Sequence, residues 1–526
     1  MGRVSLATTA TKSDWGVWGR PSAAVLALIA SAALAAPAGG SAAETSAGAG
    51  RATAFAKIPR SPQLPLSNSG RWITDADGRV VIQHGLNMVS KLAPYQPAAA
   101  GFDAADADFL ARYGFNSVRL GLIYKAVEPQ PGKINHGYIR RARETERMLA
   151  KRGITSLIDF HQDLYNERFS GEGWPDWAVL YDGLPAQPLA GFPATYLTSP
   201  GLNRAFDNFY ADHAGPGGVG LISRFGTAWK RVATSFSGDP GVLGYDILNE
   251  PWPGSGYADC FNLSGCPRFD RASLAPLYRR VITKIREADP SHLVFYEPQV
   301  LFNFDSNTNL PDLGRRHLGF SFHNYCFTGL IAGSPPTCPE SEDLVFDNAD
   351  AHARKTGDAL MLSEFGATAD ISILDRITGF ADRHMVSWQE WHYCGCDDPT
   401  TQGPGDTQAI VKDLRRPPRG SNVFHAKLKA LARPYPQAIA GTPKSFSFDP
   451  STRVFKLLYT RKRANGEGSF RRGFTDIFVP KIQYPDGYSA RVTGRGSISR
   501  DPKRRQHLYV RSTPLTSSIR LTISPK

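Results

Sequence analysis

Two glutamates, Glu250 and Glu364, lie at or near the ends of apolar runs in the sequence. The run VLGYDILNE (242–250) has the near-continuous apolar character of a β-strand that is covered on both faces. Two prolines follow Glu250 within three residues, and because proline cannot donate to a strand ladder, pairing has to end near this glutamate. Two carboxylates at strand ends are the minimum set for glycoside hydrolysis, with one acid and one nucleophile or base.

Further polar side chains stand at or near the ends of other apolar runs, where they are an unusual way to fill a core. They are Lys91, Arg119, His161, Asp163, Asn249, His323 and Tyr325. Of these, Lys91, His161 and Asp163 are predicted to bind sugar hydroxyls, with structural hydrogen bonding as the alternative. Trp391 is predicted to stack on a pyranose ring, although Trp388 is an equally aromatic neighbour.

The elements that position these residues are eight short apolar runs with helix-period segments between many of them. The runs span 80–89, 117–122, 155–163, 242–250, 293–298, 318–325, 359–366 and 385–393. Alternating strands and helices predict an α/β fold in which a parallel sheet closes into a (β/α)8 TIM barrel, whose active site lies at the carboxyl ends of the strands. A doubly wound open sheet is the alternative, but no glycine-rich phosphate turn follows the first strand.

The pattern changes beyond residue 440, where short alternating runs are separated by Pro, Gly and Asp turns. Such runs predict a small antiparallel β-sandwich of about 80 residues. This segment holds 18 Lys and Arg against 5 Asp and Glu, so it carries the whole formal net charge of +13. The clusters RKR (461–463), RR (471–472) and KRR (503–505) are expected to share a face.

The amino-terminal residues have the parts of a secretory signal. Lys12 and Arg20 precede the apolar stretch 22–36, and small residues follow it. A secreted protein with its signal peptide removed is therefore expected, and a retained membrane anchor is the alternative. The predicted boundaries are 1–43 for the signal peptide, 44–68 for a flexible segment, 69–440 for the catalytic barrel and 441–526 for the basic sandwich.

All six cysteines lie between residues 260 and 396, which fits an oxidising compartment. Cys260 with Cys266, and Cys326 with Cys338, are close enough in sequence to close small loops, but other pairings stay open. Cys394 and Cys396 are not assigned. A zinc site is the competing interpretation, although the spacing fits zinc ligands poorly, and no metal or organic cofactor is expected.

These motifs resemble those of the retaining glycoside hydrolases of family 5, in the cellulase-like clan. The shared features are the Asn-Glu-Pro of the fourth run, the Glu of the seventh, the Arg of the second and the His-x-Tyr of the sixth. The stretch DFHQDLYNERFSGEGWPDWAV (159–179) resembles the endoglycoceramidases, a branch that cuts between the glycan and the ceramide of glycosphingolipids. The resemblance covers roughly residues 70–520, including the carboxyl-terminal sandwich.

The resemblance implies a role for each matching residue. Glu250 is the expected acid/base and Glu364 the expected nucleophile, which Arg119 keeps ionised and to which Tyr325 donates. Asn249 is suited to hold the 2-hydroxyl of the sugar, a contact that tightens in an oxocarbenium-like transition state.

A glycosphingolipid substrate also needs an apolar surface for two hydrocarbon chains. The connections 174–197 and 327–336 are rich in apolar residues, and they are expected to supply it. The basic sandwich is predicted to meet an anionic membrane surface, while no nucleic-acid partner is expected and the protein is expected to be a monomer.

Two alternative functions stay open at this point. One is a β-glycosidase of the same fold that acts on another glycan or lipid glycoside, such as a β-glucan, a galactosylceramide or a sterol glycoside. The other is a non-catalytic glycolipid binder, which the presence of Glu250, Glu364 and Arg119 disfavours.

Overall fold

The structure is a computed structural model that describes residues 62–326, 338–394, 398–400, 408–471, 473–513 and 517–526. The predicted signal peptide, the apolar connection 327–336 and Cys396 lie outside the described residues. Within the described segments, no helix has both the length and the apolar character that crossing a bilayer requires.

Eight parallel strands close into a barrel, which confirms the predicted fold. The strands are β3 (His84–Met88), β4 (Ser117–Ile123), β5 (Thr155–His161), β6 (Val242–Asp246), β7 (Leu293–Tyr296), β8 (Leu318–Asn324), β9 (Ala359–Phe365) and β10 (Ser387–Glu390), and β10 pairs with β3 to complete the ring. Each strand lies within, or extends one residue beyond, one of the eight apolar runs, because strands covered on both faces have to be apolar almost throughout.

The helices cover the outside of the barrel. The described α-helices are Pro97–Ala100, Ala104–Arg112, Tyr124–Val127, His136–Ala150, Thr195–Thr198, Pro200–Tyr210, Leu221–Phe236, Pro267–Phe269, Ala275–Arg286, Cys338–Thr356, Ile371–His384 and His425–Leu431. Short 3-10 turns lie at Glu167–Phe169, Asp176–Ala178, Pro216–Gly218, Gly254–Cys260, Val300–Phe304 and Gly420–Asn422, and a π turn at Asp270–Leu274.

The two ends of the barrel interior differ in chemistry. At the amino ends of the strands, apolar side chains such as Leu157, Leu243 and Leu293 are fully buried. A hairpin of β1 (Ser67–Ser69) and β2 (Trp72–Thr74) belongs to the same apolar cluster through Ile73. Polar and charged side chains occupy the carboxyl ends, so one end of the barrel is sealed by apolar packing and the other is left for chemistry.

The carboxyl-terminal strands form two four-stranded antiparallel sheets that share an apolar core. One sheet has the order β11 (Tyr435–Ala438), β14 (Phe474–Phe478), β17 (His507–Ser512), β16 (Gly496–Arg500); the other has the order β12 (Thr442–Asp449), β13 (Val454–Thr460), β18 (Ser518–Pro525), β15 (Tyr488–Thr493). This is the predicted sandwich. Its first strand, β11, lies before the expected boundary at residue 441, because a four-residue strand directly after a helix leaves little alternation to read.

The sandwich packs against the amino ends of the barrel strands. The ring of Tyr435 stacks on His84 at the start of β3, with 3.7 Å between ring centroids. The hydroxyl of Tyr435 donates to the carbonyl of Gly114, just before β4, at 2.6 Å. The guanidinium of Arg433 lies 3.1 Å from the carboxylate of Asp382, near the end of a barrel helix. The catalytic end of the barrel therefore stays clear of the sandwich.

Three arginines of the basic clusters of the sandwich are held by hydrogen bonds within the protein, while Lys462, Arg471, Lys503 and Arg505 are exposed. That the clusters share a face stays a prediction. Arg461 is buried and donates to the carbonyl of Phe470, and Arg463 donates to the carbonyl of Asp77. Arg504 donates to the hydroxyl of Tyr509 at 2.8 Å, and Arg472 lies outside the described residues. These arginines hold loops together, which their sequence spacing did not indicate.

A different set of cations lies together on the outer face of the second sheet. Lys456 of β13 and Arg491 of β15 both pair with Thr522 of β18, and Arg520 lies two residues along β18 on the same side. All three side chains belong to exposed residues, and none forms an ion pair with a described residue. We call Lys456, Arg491 and Arg520 the outer basic face.

Two small loops are closed by disulfides, Cys260–Cys266 and Cys326–Cys338, as the sequence indicated. Cys394 is also disulfide-bonded.

Candidate active site

The two predicted catalytic carboxylates meet at the carboxyl ends of the barrel strands. Glu364 lies in β9, and Glu250 lies four residues beyond the end of β6. An oxygen of Glu250 and an oxygen of Glu364 lie within 4.8 Å of each other. Glu250 has a φ of 44°, a left-handed conformation that costs a non-glycine residue on the order of 1–3 kcal/mol, so its surroundings have to hold it there.

Arg119 of β4 is the central cation of a fully buried network. Its guanidinium contacts Glu364 Oε1 at 2.5 Å and Asn249 Oδ1 at 3.0 Å. Its other partners are Asn87 at 3.3 Å, Asp159 at 3.0 Å, Asp246 at 3.0 Å and Glu297 at 2.8 Å. The planar, permanently charged guanidinium suits this position because it can satisfy several acceptors at once.

Glu364 receives two donors, one from Arg119 and one from the hydroxyl of Tyr325, which lies 3.1 Å from Oε2. Burial raises the pKa of Glu364 to about 7, while the charges of His323 and Arg119 act in the opposite direction. Both donors point at the carboxylate, so they stabilise its ionised, nucleophilic form.

Glu250 receives its donors on a single oxygen. His323 Nδ1 lies 2.8 Å from Glu250 Oε1, and the amide of Asn303 donates to the same oxygen at 2.6 Å. Burial alone would lower the pKa of His323, but the carboxylates of Glu297 and Glu364 raise it well above its usual value, so the ring is an imidazolium at neutral pH. The second oxygen of Glu250 accepts from no described residue, and Glu250 itself lines the cavity.

His161 and Lys91 also line the cavity. Burial, together with the charge of Lys91, lowers the pKa of His161 well below its usual value, so this ring is neutral. Lys91 is fully buried, and its ammonium contacts Asp163, Thr400 at 2.8 Å and Asp398 at 3.2 Å. An ammonium has three hydrogens, so these three partners use all of them.

The structure separates the two tryptophans that the sequence left open. Trp391 lines the cavity, where Lys91 Nζ lies 4.6 Å from the centre of its ring. Trp388 is fully buried and stacks on His84 with 4.2 Å between ring centroids. Of the two tryptophans, Trp391 is therefore the one that lines the cavity, and its contact with a sugar ring stays a prediction.

One cavity of about 360 Å3 contains both carboxylates and continues into an apolar half. Its polar half is lined by Lys91, His161, Asp163, Glu250, Tyr325, Glu364, Trp391, Thr400 and Gln408. Its apolar half is lined by Phe192, Pro193, Ala194, Tyr196, Leu197, Trp252, Phe261, Val300, Leu301, Phe304 and Ala367. The predicted residues Arg119, Asn249 and His323 do not line the cavity. Arg119 and His323 bond to the lining residues Glu364 and Glu250, whereas the side chain of Asn249 bonds to Arg119 and to the carbonyl of Gln162.

The apolar half is built partly where the sequence indicated and partly elsewhere. Phe192 and Leu197 belong to the predicted connection 174–197. Phe261 sits in the loop that the Cys260–Cys266 disulfide closes, and 49 % of its surface is exposed at the cavity rim. The segment 300–304 follows β7 and was not predicted to line the site.

Sequence reasoning also missed the buried acids around Arg119. Asp159 and Asp246 stand in the middle of apolar runs, and Glu297 stands near the carboxyl end of another. A charged residue inside an otherwise apolar run was the feature of the sequence that could have indicated these buried acids.

Within the described part of the chain, two groups of side chains have ligand atoms close enough for a cation: His161 with Asp163 and Glu172, and Glu250 with His323 and Glu364. In the first group the Lys91 ammonium contacts Asp163, and in the second His323 contacts Glu250. Protein cations thus already compensate both groups.

Comparison with known proteins matches two parts of the chain. The cellulase family, glycosyl hydrolase family 5, matches residues 74–396, and the glycoside hydrolase family 5 C-terminal domain matches residues 433–523. Endoglycoceramidase I of Rhodococcus hoagii (strain 103S) is 33% identical over 458 residues, which is 84% of this chain and 85% of that protein.

Solved structures of endo-glycoceramidase II from a Rhodococcus species share the architecture. The lactosyl-enzyme intermediate is 27% identical with a TM-score of 0.68, and the alignment covers 88% of this chain and 100% of that one. The complex with ganglioside GM3 is 25% identical with a TM-score of 0.68, covering 86% and 99%.

Proposed function

Because the chain belongs to glycoside hydrolase family 5, within its endoglycoceramidase branch, we propose that it hydrolyses the bond between the oligosaccharide and the ceramide of glycosphingolipids. The reaction proceeds with retention of configuration, through a covalent glycosyl-enzyme. No bound metal or organic cofactor takes part in it.

The observation that carries the retaining mechanism is the approach of Glu250 and Glu364 to within 4.8 Å. Retaining enzymes hold their carboxyl groups about 5–5.5 Å apart, whereas inverting enzymes leave about 6.5–9.5 Å for a water molecule. The closest approach of the two carboxylates in this chain falls on the retaining side of these ranges, so it supports direct attack by one carboxylate.

The two carboxylates then divide the reaction between them. Glu364 attacks the anomeric carbon while the bond to the ceramide oxygen breaks and Glu250 gives its proton to that oxygen. In the second step Glu250 takes a proton from water, the water oxygen attacks the anomeric carbon, and the bond to Glu364 breaks. Arg119 and Tyr325 stabilise the charge on Glu364 whenever it is free.

The division of the cavity into two halves supports a glycolipid substrate. His161, Asp163 and Trp391 are proposed to bind the sugars, whereas the side chain of Asn249 bonds to Arg119 and to the carbonyl of Gln162. Phe192, Leu197 and Phe261 are proposed to take the lipid, because these exposed apolar side chains would otherwise contact water.

The outer basic face is proposed to bind an anionic membrane surface. Three unpaired cations on one face of a sheet suit negatively charged headgroups, and each basic residue near such a surface contributes about 1 kcal/mol. Secretion and a monomeric state remain parts of the proposal. The two disulfides support export, since disulfides persist in oxidising compartments.

Incubation with ganglioside GM3 tests the proposed function. The expected products are the intact oligosaccharide and ceramide, identified by mass spectrometry. Stepwise release of monosaccharides would contradict the endo mode of cleavage. Cleavage of a soluble β-glucan or of a sterol glycoside, with GM3 left intact, would assign the chain to a sister activity of the same fold.

A further inference from the structure

One buried carboxylate outside the catalytic pair contacts three parts of the machinery at once. Glu297 follows β7, and its side chain is 3% exposed. Its Oε2 accepts the backbone N–H of Glu250 at 2.8 Å. Its Oε1 lies 2.8 Å from Arg119 Nη2 and 3.3 Å from His323 Nε2.

The contact to the backbone of Glu250 is the unusual one. Glu250 has the left-handed φ of 44°, just after β6 has ended, so no strand partner is there to accept its N–H. Gln162 donates to the carbonyl of the same residue at 3.1 Å. The peptide groups of Glu250 are thus held by side chains from β7 and β5, and Glu297 supplies the acceptor.

Glu297 also fixes the ring that bonds the Glu250 carboxyl. His323 presents Nδ1 to Glu250 Oε1 at 2.8 Å and Nε2 to Glu297 Oε1 at 3.3 Å. The imidazole therefore bridges the two glutamates. The carbonyl of Glu297 in turn accepts the hydroxyl of Tyr278 at 2.6 Å, which ties the end of β7 to a neighbouring helix.

We propose that Glu297 is a positioning residue for the acid/base: it holds the backbone of Glu250 and the ring of His323 so that the Glu250 carboxyl points at the glycosidic oxygen. This inference rests on the role proposed above for Glu250. Although burial opposes it, the positive charges of His323 and Arg119 hold the pKa of Glu297 below its usual value, so the carboxylate stays ionised. It keeps accepting from the backbone of Glu250 and from Arg119, and it stays paired with the charged ring of His323.

Replacement by the isosteric amide removes this arrangement without opening a cavity. A carboxamide has one acceptor oxygen and one NH2 group, so in either orientation one of its donors faces the N–H of Glu250 or the guanidinium of Arg119. Glu297→Gln should therefore misdirect the acid while leaving the nucleophile Glu364 with Arg119 and Tyr325.

The test compares two leaving groups, because only a poor one needs the proton of Glu250. Octyl β-lactoside has a poor leaving group, and 2,4-dinitrophenyl β-lactoside has one that departs without protonation. For Glu297→Gln, kcat/KM on the octyl substrate should fall by roughly 30-fold or more, and on the dinitrophenyl substrate by less than about 3-fold. An equal loss on both substrates would overturn the proposal.

Asp246→Asn is the matched control, since Asp246 bonds the same guanidinium at 3.0 Å and none of its described contacts is to Glu250. Its losses should be equal for the two leaving groups. Thermal unfolding verifies that each variant is folded. If Glu297→Gln does not fold, Glu297→Asp keeps the charge but retracts the carboxylate, and the same leaving-group criterion applies to it. A failure to cleave GM3 would count against the proposed natural substrate but not against this positioning role.

Discussion

The ring of Trp391 lies nearly parallel to that of His161, with 5.2 Å between the ring centroids and 20° between the planes. The two rings form one wall of the polar half of the cavity. Trp388, three residues earlier, lies instead among buried residues of the barrel core.

Alanine substitutions should separate the two tryptophans. Trp391→Ala should lower kcat/KM on a short aryl glycoside by roughly tenfold, since the stacking surface for the sugar is lost. Trp388→Ala should lower the free energy of unfolding by about 3–5 kcal/mol, the usual cost of truncating a buried tryptophan. Kinetics per folded molecule and chemical denaturation measure the two effects. If Trp388→Ala instead lost activity while Trp391→Ala lost stability, the sugar would bind at Trp388.

Azide should distinguish the roles of the two carboxylates. Glu364→Ala should abolish turnover, and azide entering the vacated face should give the α-glycosyl azide from a β-glycoside with an activated leaving group. Glu250→Ala should still form the glycosyl-enzyme from such a substrate, and azide should then give the β-glycosyl azide. NMR of the isolated products reports the anomer. If Glu364→Ala gave the β-glycosyl azide and Glu250→Ala the α-glycosyl azide, Glu250 would be the nucleophile and Glu364 the acid/base.

The nucleophile should set the acid side of the pH profile. The pKa of Glu364 is raised to about 7 by burial, and only the ionised form attacks, so activity should fall as pH drops through about 7. Tyr325→Phe removes a donor to the ionised carboxylate, which raises its pKa and moves this limb to higher pH. The measurement is kcat/KM against pH on a dinitrophenyl glycoside. If the acid limb of the Tyr325→Phe profile stayed in place or moved to lower pH, the hydrogen bond from Tyr325 would not stabilise the ionised form of Glu364.

Acidic substitutions at the exposed apolar rim should damage lipid binding selectively. Phe261→Asp and Leu197→Asp place charges at residues that are 49% and 43% exposed, so the fold should tolerate them. Each should lower cleavage of GM3 by roughly tenfold or more, while cleavage of a short aryl glycoside changes little. Val219→Asp is the control, since Val219 is 40% exposed and does not line the cavity. Equal losses on both substrates would mean that the rim supports the fold.

The same experiment applies to Leu330 and Ile331, in the apolar connection 327–336. Both lie outside the described residues, so the expectation that this connection contacts lipid stays a prediction from the sequence.

Charge reversal should locate the membrane-binding surface. Replacing Lys456, Arg491 and Arg520 with Glu should weaken binding to anionic liposomes by roughly 100-fold at low salt, and flatten the salt dependence. The triple reversal at Lys503, Arg504 and Arg505 changes the net charge equally and tests the cluster that the sequence predicted at the membrane. Liposome co-sedimentation at several salt concentrations measures both. If the two variants lose the same affinity for anionic liposomes, binding depends on the net charge of the protein and not on the position of the outer basic face.

The sequence predicted the barrel well because strands buried on both faces are apolar nearly throughout, and such runs can be counted. It predicted that Glu250, Glu364, Arg119 and Tyr325 would meet, because the carboxyl ends of barrel strands share one edge. It did not separate Trp388 from Trp391, since a shift of three residues around a strand end decides between core and cavity.

The contacts that the sequence did not predict depend on three-dimensional placement rather than on residue type. Asp159 of β5, Asp246 of β6 and Glu297, which follows β7, surround one arginine. Arg461 and Arg504 look like free surface charges in the sequence, but loop carbonyls and a tyrosine hydroxyl accept from them. Phe261 reaches the cavity because a disulfide folds its loop back over the barrel end.

The packing of the sandwich against the amino ends of the barrel strands has a practical consequence. The last described residue, Lys526, belongs to the sandwich, so a tag or support coupled there is attached at the end of the protein opposite to the catalytic cavity. An immobilised enzyme tethered through this terminus should present its open end to a flowing suspension of micelles. Coupling through lysines at random would, by contrast, turn a fraction of the molecules with that end against the resin.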